Sequence, residues 1–297
     1  MKKQILIVKN LIILFRPHQW VKNFFIFLPL FFDRRITSQP ELKNTFLTFF
    51  IFSLIASSIY CLNDLIDIES DKLHPKKCKR PLASGLISKY FAIASTLILF
   101  CIALFTFILS GLSSGVAYLI LFYLIMNIAY SLKLKRIAIL DIMIISVGFV
   151  LRLVIGGLAS NTALSHWIVI MTFLLALFLA LAKRRDDYLI FMNTGIKPRS
   201  NINKYNAEYI NTSLSIITAV MLVSYIMYTV SSEVIAHIGN SNLYITSLFV
   251  ILGMLRYLQL TIVDEVSGSP TEVVLTDKFI QLTLIGWILL FAYFLYW

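Results

Sequence analysis

The sequence predicts an all-α fold: a polytopic membrane bundle of about nine transmembrane helices around a central cavity, in a single domain covering residues 1–297. Three observations predict it. Hydrophobic residues make up 59% of the chain, against about 45–50% in an ordinary soluble domain. The excess is gathered into long apolar runs, and roughly 20 such residues cross a bilayer as a helix. Lysine and arginine collect in alternate connecting segments, as the positive-inside rule requires.

The candidate spans are 21–33, 44–62, 90–110, 114–131, 137–158, 164–182, 209–230, 243–263 and 279–297. The first is short and is compatible with an interfacial helix starting nearer Arg16. With the N-terminus inside, the inner segments hold 21 of the 26 Lys and Arg residues. Arg34, Arg35 and Lys43 fall outside, and Arg152 and Arg256 lie within spans. The long polar loops 63–89, 183–208 and 264–278 then share the cytoplasmic face of a cell membrane. No internal repeat, low-complexity tract or soluble-domain linker interrupts the pattern. The N-terminal apolar stretch is broken by Lys9 and runs into Arg16-Pro17, which is unlike a secretory signal.

Mean hydropathy is +0.85, yet the net charge is +11. Such a balance suits anionic lipid or a phosphorylated substrate, and the membrane setting argues against nucleic acid. Cys61, Cys78 and Cys101 make no CxxC pair and indicate free thiols. The chain is compatible with a homo-oligomer.

The most informative stretch is Asn63-Asp64-x-x-Asp67-x-x-x-Asp71. On a helix leaving the second span, acids at i, i+3 and i+7 share one face. They repel one another unless a cation joins them, and carboxylates with substrate phosphates are the usual Mg²⁺ environment. The plain alternative is a solvated acidic loop, but Leu65, Ile66 and Ile68 alternate with the acids as an amphipathic helix requires.

A basic run follows at once, with Lys72, His74, Lys76, Lys77, Lys79 and Arg80. Cations beside a metal site suit a substrate with more negative charge than one Mg²⁺ balances. Ordinary positive-inside charge explains Lys72, Lys77 and Lys79 as well. Pro75 and Pro81 end the helix and make a turn. Farther on, Tyr130, Ser131 and Lys133 can donate to phosphate oxygens, although Tyr and Lys are also common interfacial anchors. Asp141 lies in the next span. In Lys183-Arg184-Arg185-Asp186-Asp187, the adjacent acids cannot face one way on a helix, so the segment is a poor copy of the first motif. An arginine within a span is costly and faces a cavity or a partner. No acid in the spans is an evident mate for Arg152.

Taken together, these motifs resemble the UbiA-type membrane prenyltransferase superfamily. The resemblance runs nearly end to end and sharpens to the decaprenyl-phosphate phosphoribosyltransferase branch. It rests on Arg16-Pro17-His18-Gln19-Trp20-Val21-Lys22-Asn23, the stretch from Asn63 to Pro81, and Tyr130-Ser131-x-Lys133. Asp141 through Arg152, Lys183-Arg184 and the tail from Gly268 to Asp277 extend it.

The resemblance implies a Mg²⁺-dependent enzyme that transfers 5-phosphoribose from phosphoribosyl pyrophosphate to a polyprenyl phosphate. It implies Asp64, Asp67 and Asp71 as metal ligands, with Asp64, Asp67 and Asp141 in catalytic roles. It implies Lys22, Asn63, His74, Lys76, Arg80, Tyr130, Lys133, Arg152, Lys183 and Arg184 as substrate contacts. Where much of the superfamily carries a second aspartate-rich motif, this chain has Lys183-Arg184-Arg185, which puts a second metal in doubt. The competing expectation is an aromatic prenyltransferase of quinone or haem biosynthesis. A transporter would need paired discontinuous spans or an inverted repeat, and neither is evident.

Overall fold

The structure is a computed structural model describing residues 2–73, 77–266 and 270–296. The described residues form thirteen α-helices joined by turns and short 3-10 helices. The chain opens with α1 (Lys2–Phe15), a 3-10 segment (Pro17–Phe27) and α2 (Leu28–Phe32). Next come α3 (Gln39–Ile66), α4 (Ile68–Lys72), α5 (Lys89–Ser110), α6 (Ser114–Leu132) and α7 (Leu140–Ala159). The second half holds α8 (His166–Thr194), α9 (Ala207–Val230), α10 (Ser232–Ile238), α11 (Ser247–Ile262), α12 (Pro270–Thr276) and α13 (Lys278–Tyr296).

Among the described residues, eight helices are long and apolar enough to cross a membrane. The segment expected as the first of nine spans, 21–33, folds instead as the 3-10 helix followed by one turn of α2. A 3-10 helix has three residues per turn, so side chains three apart eclipse. Trp20, Asn23 and Ile26 stand at that spacing, and the first two meet α3. Trp20 Nε1 donates to Ser57 Oγ at 3.0 Å, and Asn23 Nδ2 donates to Ser53 Oγ at 2.9 Å. Ile26 is fully buried. A search for a 3.6-residue period passes over this pattern.

The chain divides into two compact units, residues 1–135 with 148–164, and residues 136–147 with 165–297. In the first, α3 is the central helix: every residue from Ile51 to Ile59 is buried. It packs on α1, α5, α6 and the 3-10 segment. Helix α5 buries one stripe, Ala92, Ser95, Leu99 and Ala103, and exposes Leu97, Ile98, Phe105, Ile108 and Leu109. That outer face needs lipid, because this much contiguous apolar surface is not tolerated in water. In the second unit α8 packs on α9, and α11 on α9 and α13. Phe178, Leu181, Leu214, Met254, Tyr257 and Ile280 belong to its core.

The second intramembrane arginine, Arg256, pairs with Asp277 at 2.8 Å. Asp277 Oδ1 also accepts the Ile280 N–H at 2.9 Å, at the start of α13. The Arg256 hydrogen bond holds the Asp277 carboxyl below the usual carboxylate range.

Candidate active site

The acidic motif lies where α3 gives way to α4. At 100° per residue, Asp71 returns to within about 20° of Asp64, while Asp67 stands about 60° to the side. The contacts follow that geometry. Arg80 Nη1 donates to Asp64 Oδ1 at 3.0 Å and to Asp71 Oδ2 at 2.6 Å. Arg16 Nη2 donates to the same Asp64 Oδ1 at 2.5 Å. Asp67 instead accepts from Lys135 Nζ at 2.5 Å. The Asp64 and Asp71 side chains are only 3% and 5% exposed. Two nearly buried carboxylates thus converge on one cationic nitrogen, and three acids are matched by Arg16, Arg80 and Lys135.

Arg16 reaches Asp64 from a left-handed backbone position, φ +52°, which costs a non-glycine residue roughly 1–2 kcal/mol. Its guanidinium also lies over the Tyr60 ring, 5.2 Å from the centroid. The Ser131 hydroxyl lies within hydrogen-bond reach of Asn63 Oδ1 and, at 2.7 Å, of Asn127 O, and its single proton serves one of them at a time. The Asn63 amide is therefore oriented from α6. Tyr130 is half-buried and Lys133 exposed at the end of α6. His74 and Lys76, both expected to contact substrate, lie outside the described residues.

Arg152 is buried in α7, and among the described residues no carboxylate hydrogen-bonds to it. Nε donates to Asn23 Oδ1 at 2.9 Å, Nη1 to Gly148 O at 2.8 Å and Nη2 to the Tyr123 hydroxyl at 3.0 Å. The rings of Phe52, Tyr123 and Phe149 surround it at 4.9–5.3 Å. Neutral dipoles and aromatic faces thus hold a full positive charge. Lys22, half-buried in the 3-10 segment, lies within electrostatic reach of both Arg152 and Arg16.

In the second unit, the run Lys183-Arg184-Arg185 divides into three jobs. Arg184 is fully buried, donating to Asp141 at 2.6 Å and to Asp187 at 3.2 Å. Arg199 also pairs with Asp187, at 2.8 Å. The Tyr205 hydroxyl donates to Asp141 Oδ1 at 2.7 Å and accepts the Ile139 N–H at 2.8 Å. Burial, with the Asp141 carboxylate beside it, pushes the Tyr205 hydroxyl above its ordinary pKa. Arg185 donates to Thr261 O at 2.6 Å and Ile262 O at 3.3 Å, meeting carbonyls that the end of α11 leaves without helical partners. Lys183 is the exposed member of the run.

The UbiA prenyltransferase family matches residues 35–271. The chain belongs to that family. The decaprenyl-phosphate phosphoribosyltransferase of Mycolicibacterium smegmatis is 30% identical to this UbiA-family protein over 95% of this chain and 91% of its own length. The protein of the same name from Corynebacterium glutamicum is 28% identical over 92% of this chain and 82% of its own length. Among solved structures, a UbiA homolog from Archaeoglobus fulgidus bound to GPP and Mg²⁺ matches with a TM-score of 0.70 at 20% identity. It covers 96% of this chain and 98% of that one.

Sequence reasoning for this UbiA-family protein missed Arg16, Lys135 and Tyr205 as partners of the motif aspartates. Arg16 had a signal, since it opens the Arg16-to-Asn23 motif. Lys135 and Tyr205 had none, lying 68 and 64 residues from the acids they meet.

Proposed function

We propose that the chain is a Mg²⁺-dependent membrane transferase that moves 5-phosphoribose from 5-phosphoribosyl-1-pyrophosphate to a polyprenyl phosphate, releasing pyrophosphate. The observation that carries the reading is the likeness to decaprenyl-phosphate phosphoribosyltransferases over 92–95% of this chain.

The reaction joins a phosphate oxygen of the lipid to C1 of the ribose as the bond from C1 to pyrophosphate breaks. Positive charge develops on the sugar ring, as in glycosyl transfer. A phosphate monoester is largely ionised at neutral pH, so no strong base is needed. The protein's tasks are positioning and charge stabilisation. The convergence of Asp64 and Asp71 on one cationic nitrogen supports assigning them to Mg²⁺, with Asp67, held aside on Lys135, as the third carboxylate of the motif. Bound there, the metal neutralises diphosphate charge and improves the leaving group. Arg80 sits between the same carboxylates and takes the diphosphate oxygens. Asn63, oriented by Ser131, offers its amide to the diphosphate or the ribose.

Lys22 and Arg152 concentrate positive charge for which the described residues provide no hydrogen-bonded acid, and the anionic phosphate of the lipid acceptor balances it. The family resemblance extends the phosphate contacts to His74, Lys76, Tyr130, Lys133 and Lys183. Asp141 fixes Arg184 and with it the polar end of α8.

Orientation follows from the segment Pro17–Phe32. Its 11 residues of 3-10 helix and 5 of α-helix reach about 30 Å, the thickness of the hydrocarbon core. In the nine-span reading of the sequence, 21 of the 26 Lys and Arg residues fall in the inner segments, together with the acidic motif. By the positive-inside rule that side is the cytoplasmic face of the cell membrane.

Purified protein given Mg²⁺, phosphoribosyl pyrophosphate and polyprenyl phosphates should yield a lipid heavier by one phosphoribosyl group, read by mass spectrometry. A prenyl diphosphate with an aromatic acid should yield none. The reverse pair of results would make it an aromatic prenyltransferase.

A further inference from the structure

The carboxylates assigned to the metal are already neutralised by the protein itself. Asp64, Asp67 and Asp71 carry three negative charges, and Arg16, Arg80 and Lys135, each within 3.0 Å, carry three positive ones. Arg80 Nη1 is the point on which Asp64 Oδ1 and Asp71 Oδ2 converge, and Asp64 Oδ1 accepts from Arg16 as well. A divalent cation entering this arrangement alone meets a neutral, largely buried cluster and the Arg80 charge at the place it needs. An uncompensated charge in such surroundings is strongly disfavoured. A diphosphate entering with the metal changes the balance, because it supplies negative charge and new acceptors for a displaced guanidinium.

We propose that Arg80 is an exchangeable counter-ion. It holds Asp64 and Asp71 together in the empty enzyme, is displaced by the incoming metal–diphosphate, and transfers its hydrogen bonds from the carboxylates to the diphosphate oxygens. The proposal rests on the reading of Asp64 and Asp71 as metal ligands. It deepens that reading by giving one residue two successive partners. It makes the empty enzyme a poor site for free divalent cation and couples metal binding to the diphosphate-bearing substrate. It also assigns Arg16, the second donor to Asp64, to a holding role: it stays on the carboxylate when Arg80 leaves, so Asp64 keeps its place.

The test measures metal binding without turnover. Mn²⁺ is titrated, with no substrate present, into the purified full-length protein and read by electron paramagnetic resonance of the free ion. Arg80→Gln should bind Mn²⁺ about tenfold more tightly than the unsubstituted protein, within the usual range of coupling between two sites. Arg80→Lys keeps the charge and should stay within about threefold of the unsubstituted protein. Adding Asp64→Asn to Arg80→Gln should abolish the gain, which locates the metal. Thermal melts of each variant establish that it is folded, and Arg80→Met, which keeps the side-chain length without the charge and should show the same gain, carries the comparison if Arg80→Gln is not.

Equal or weaker Mn²⁺ binding by Arg80→Gln would overturn the exchange while leaving the metal assignment standing. The same holds if Arg80→Lys gains as much as Arg80→Gln. A gain that survives Asp64→Asn would overturn the exchange and the assignment of Asp64 to the metal together, and no Mn²⁺ binding by Arg80→Gln would overturn the exchange alone.

Discussion

A Cβ placed on Gly156 would lie 2.1 Å from the carbonyl oxygen of Ile26, and within 2.9 Å of its carbonyl carbon and Cα. Helix α7 and the 3-10 segment therefore touch backbone to backbone, and no side-chain rotation can make room. Gly156→Ala should push away the segment that carries Lys22 and Asn23, at roughly 1–3 kcal/mol for overpacking. A melt in detergent should show a lower midpoint, and transfer should fall with it. Gly253→Ala is the contrast. Its Cβ meets only the Thr283 side chain, 3.4 Å away, and alanine favours the helix, so its melt should be unchanged or slightly raised.

Asp64→Asn and Asp71→Asn should each lower transfer by about a hundredfold or more, the usual scale for losing a charge-stabilising group in an active site. Asp67 stands aside on Lys135, and the proposed metal role extends to it as the third carboxylate of the motif. Asp67→Asn should lose Mg²⁺-dependent transfer, so that chelating the metal no longer changes the residual rate. The measurement is incorporation of labelled phosphoribose into lipid across a Mg²⁺ titration. Full activity in Asp67→Asn would sink its part in the metal site.

How much of this site the sequence shows depends on how far apart its members lie. Asp64 and Asp71 are legible because seven residues return a helix almost to the same face, and α3 and α4 keep that register across Asp67. Of the cations that neutralise the motif, Arg80 is legible from the adjoining basic run, whereas the pairings of Arg16 and Lys135 are not. Arg16 and Lys135 lie 48 and 68 residues from their acids, and only packing of the 3-10 segment and α6 around α3 brings them in. The eight regular spans are plain from their apolar runs. The segment at 21–33 is not, because Trp20, Asn23 and Ile26 repeat at three residues and neither an α-helix nor a strand has that period. The fate of Lys183-Arg184-Arg185 is equally hidden. Three adjacent cations read alike in sequence, and only the contacts with Asp141 and the end of α11 separate them.

Arg152 provides a third test. Arg152→Met removes a charge from the membrane interior but leaves Asn23 Oδ1 and the Tyr123 hydroxyl without their donor. Each such buried group costs about 1–3 kcal/mol. Arg152→Met should therefore lower the melting midpoint clearly, and Tyr123→Phe, which removes one of three hydrogen bonds, by less. Arg152→Lys should not restore stability, because a single ammonium cannot reproduce the guanidinium's directed contacts with Asn23, Gly148 and Tyr123. A melt of Arg152→Lys equal to that of the unsubstituted protein would show that charge alone matters there.

Tyr205 links a strained backbone to a buried acid. Ile139 has φ +70°, a left-handed conformation that a β-branched residue rarely adopts. Its N–H is donated to the Tyr205 hydroxyl, which itself donates to Asp141. Tyr205→Phe leaves that N–H and one Asp141 oxygen short of a partner, so stability should fall by about 1–3 kcal/mol. Ile139→Gly should do the opposite. Glycine accepts the left-handed conformation, and an Ile139 already 52% exposed gives up little burial, so the melt should hold or rise. The Tyr205 hydroxyl also predicts a pH dependence. Its pKa is raised in the folded protein, so the folded state holds that proton more tightly than the unfolded chain. The associated stability is complete below the unfolded value of about 10 and is lost as pH rises through the folded one. Melting midpoints of the unsubstituted protein should therefore drop more steeply above pH of about 10 than those of Tyr205→Phe. Parallel slopes for the two proteins would mean that Tyr205 keeps no special hold on its proton.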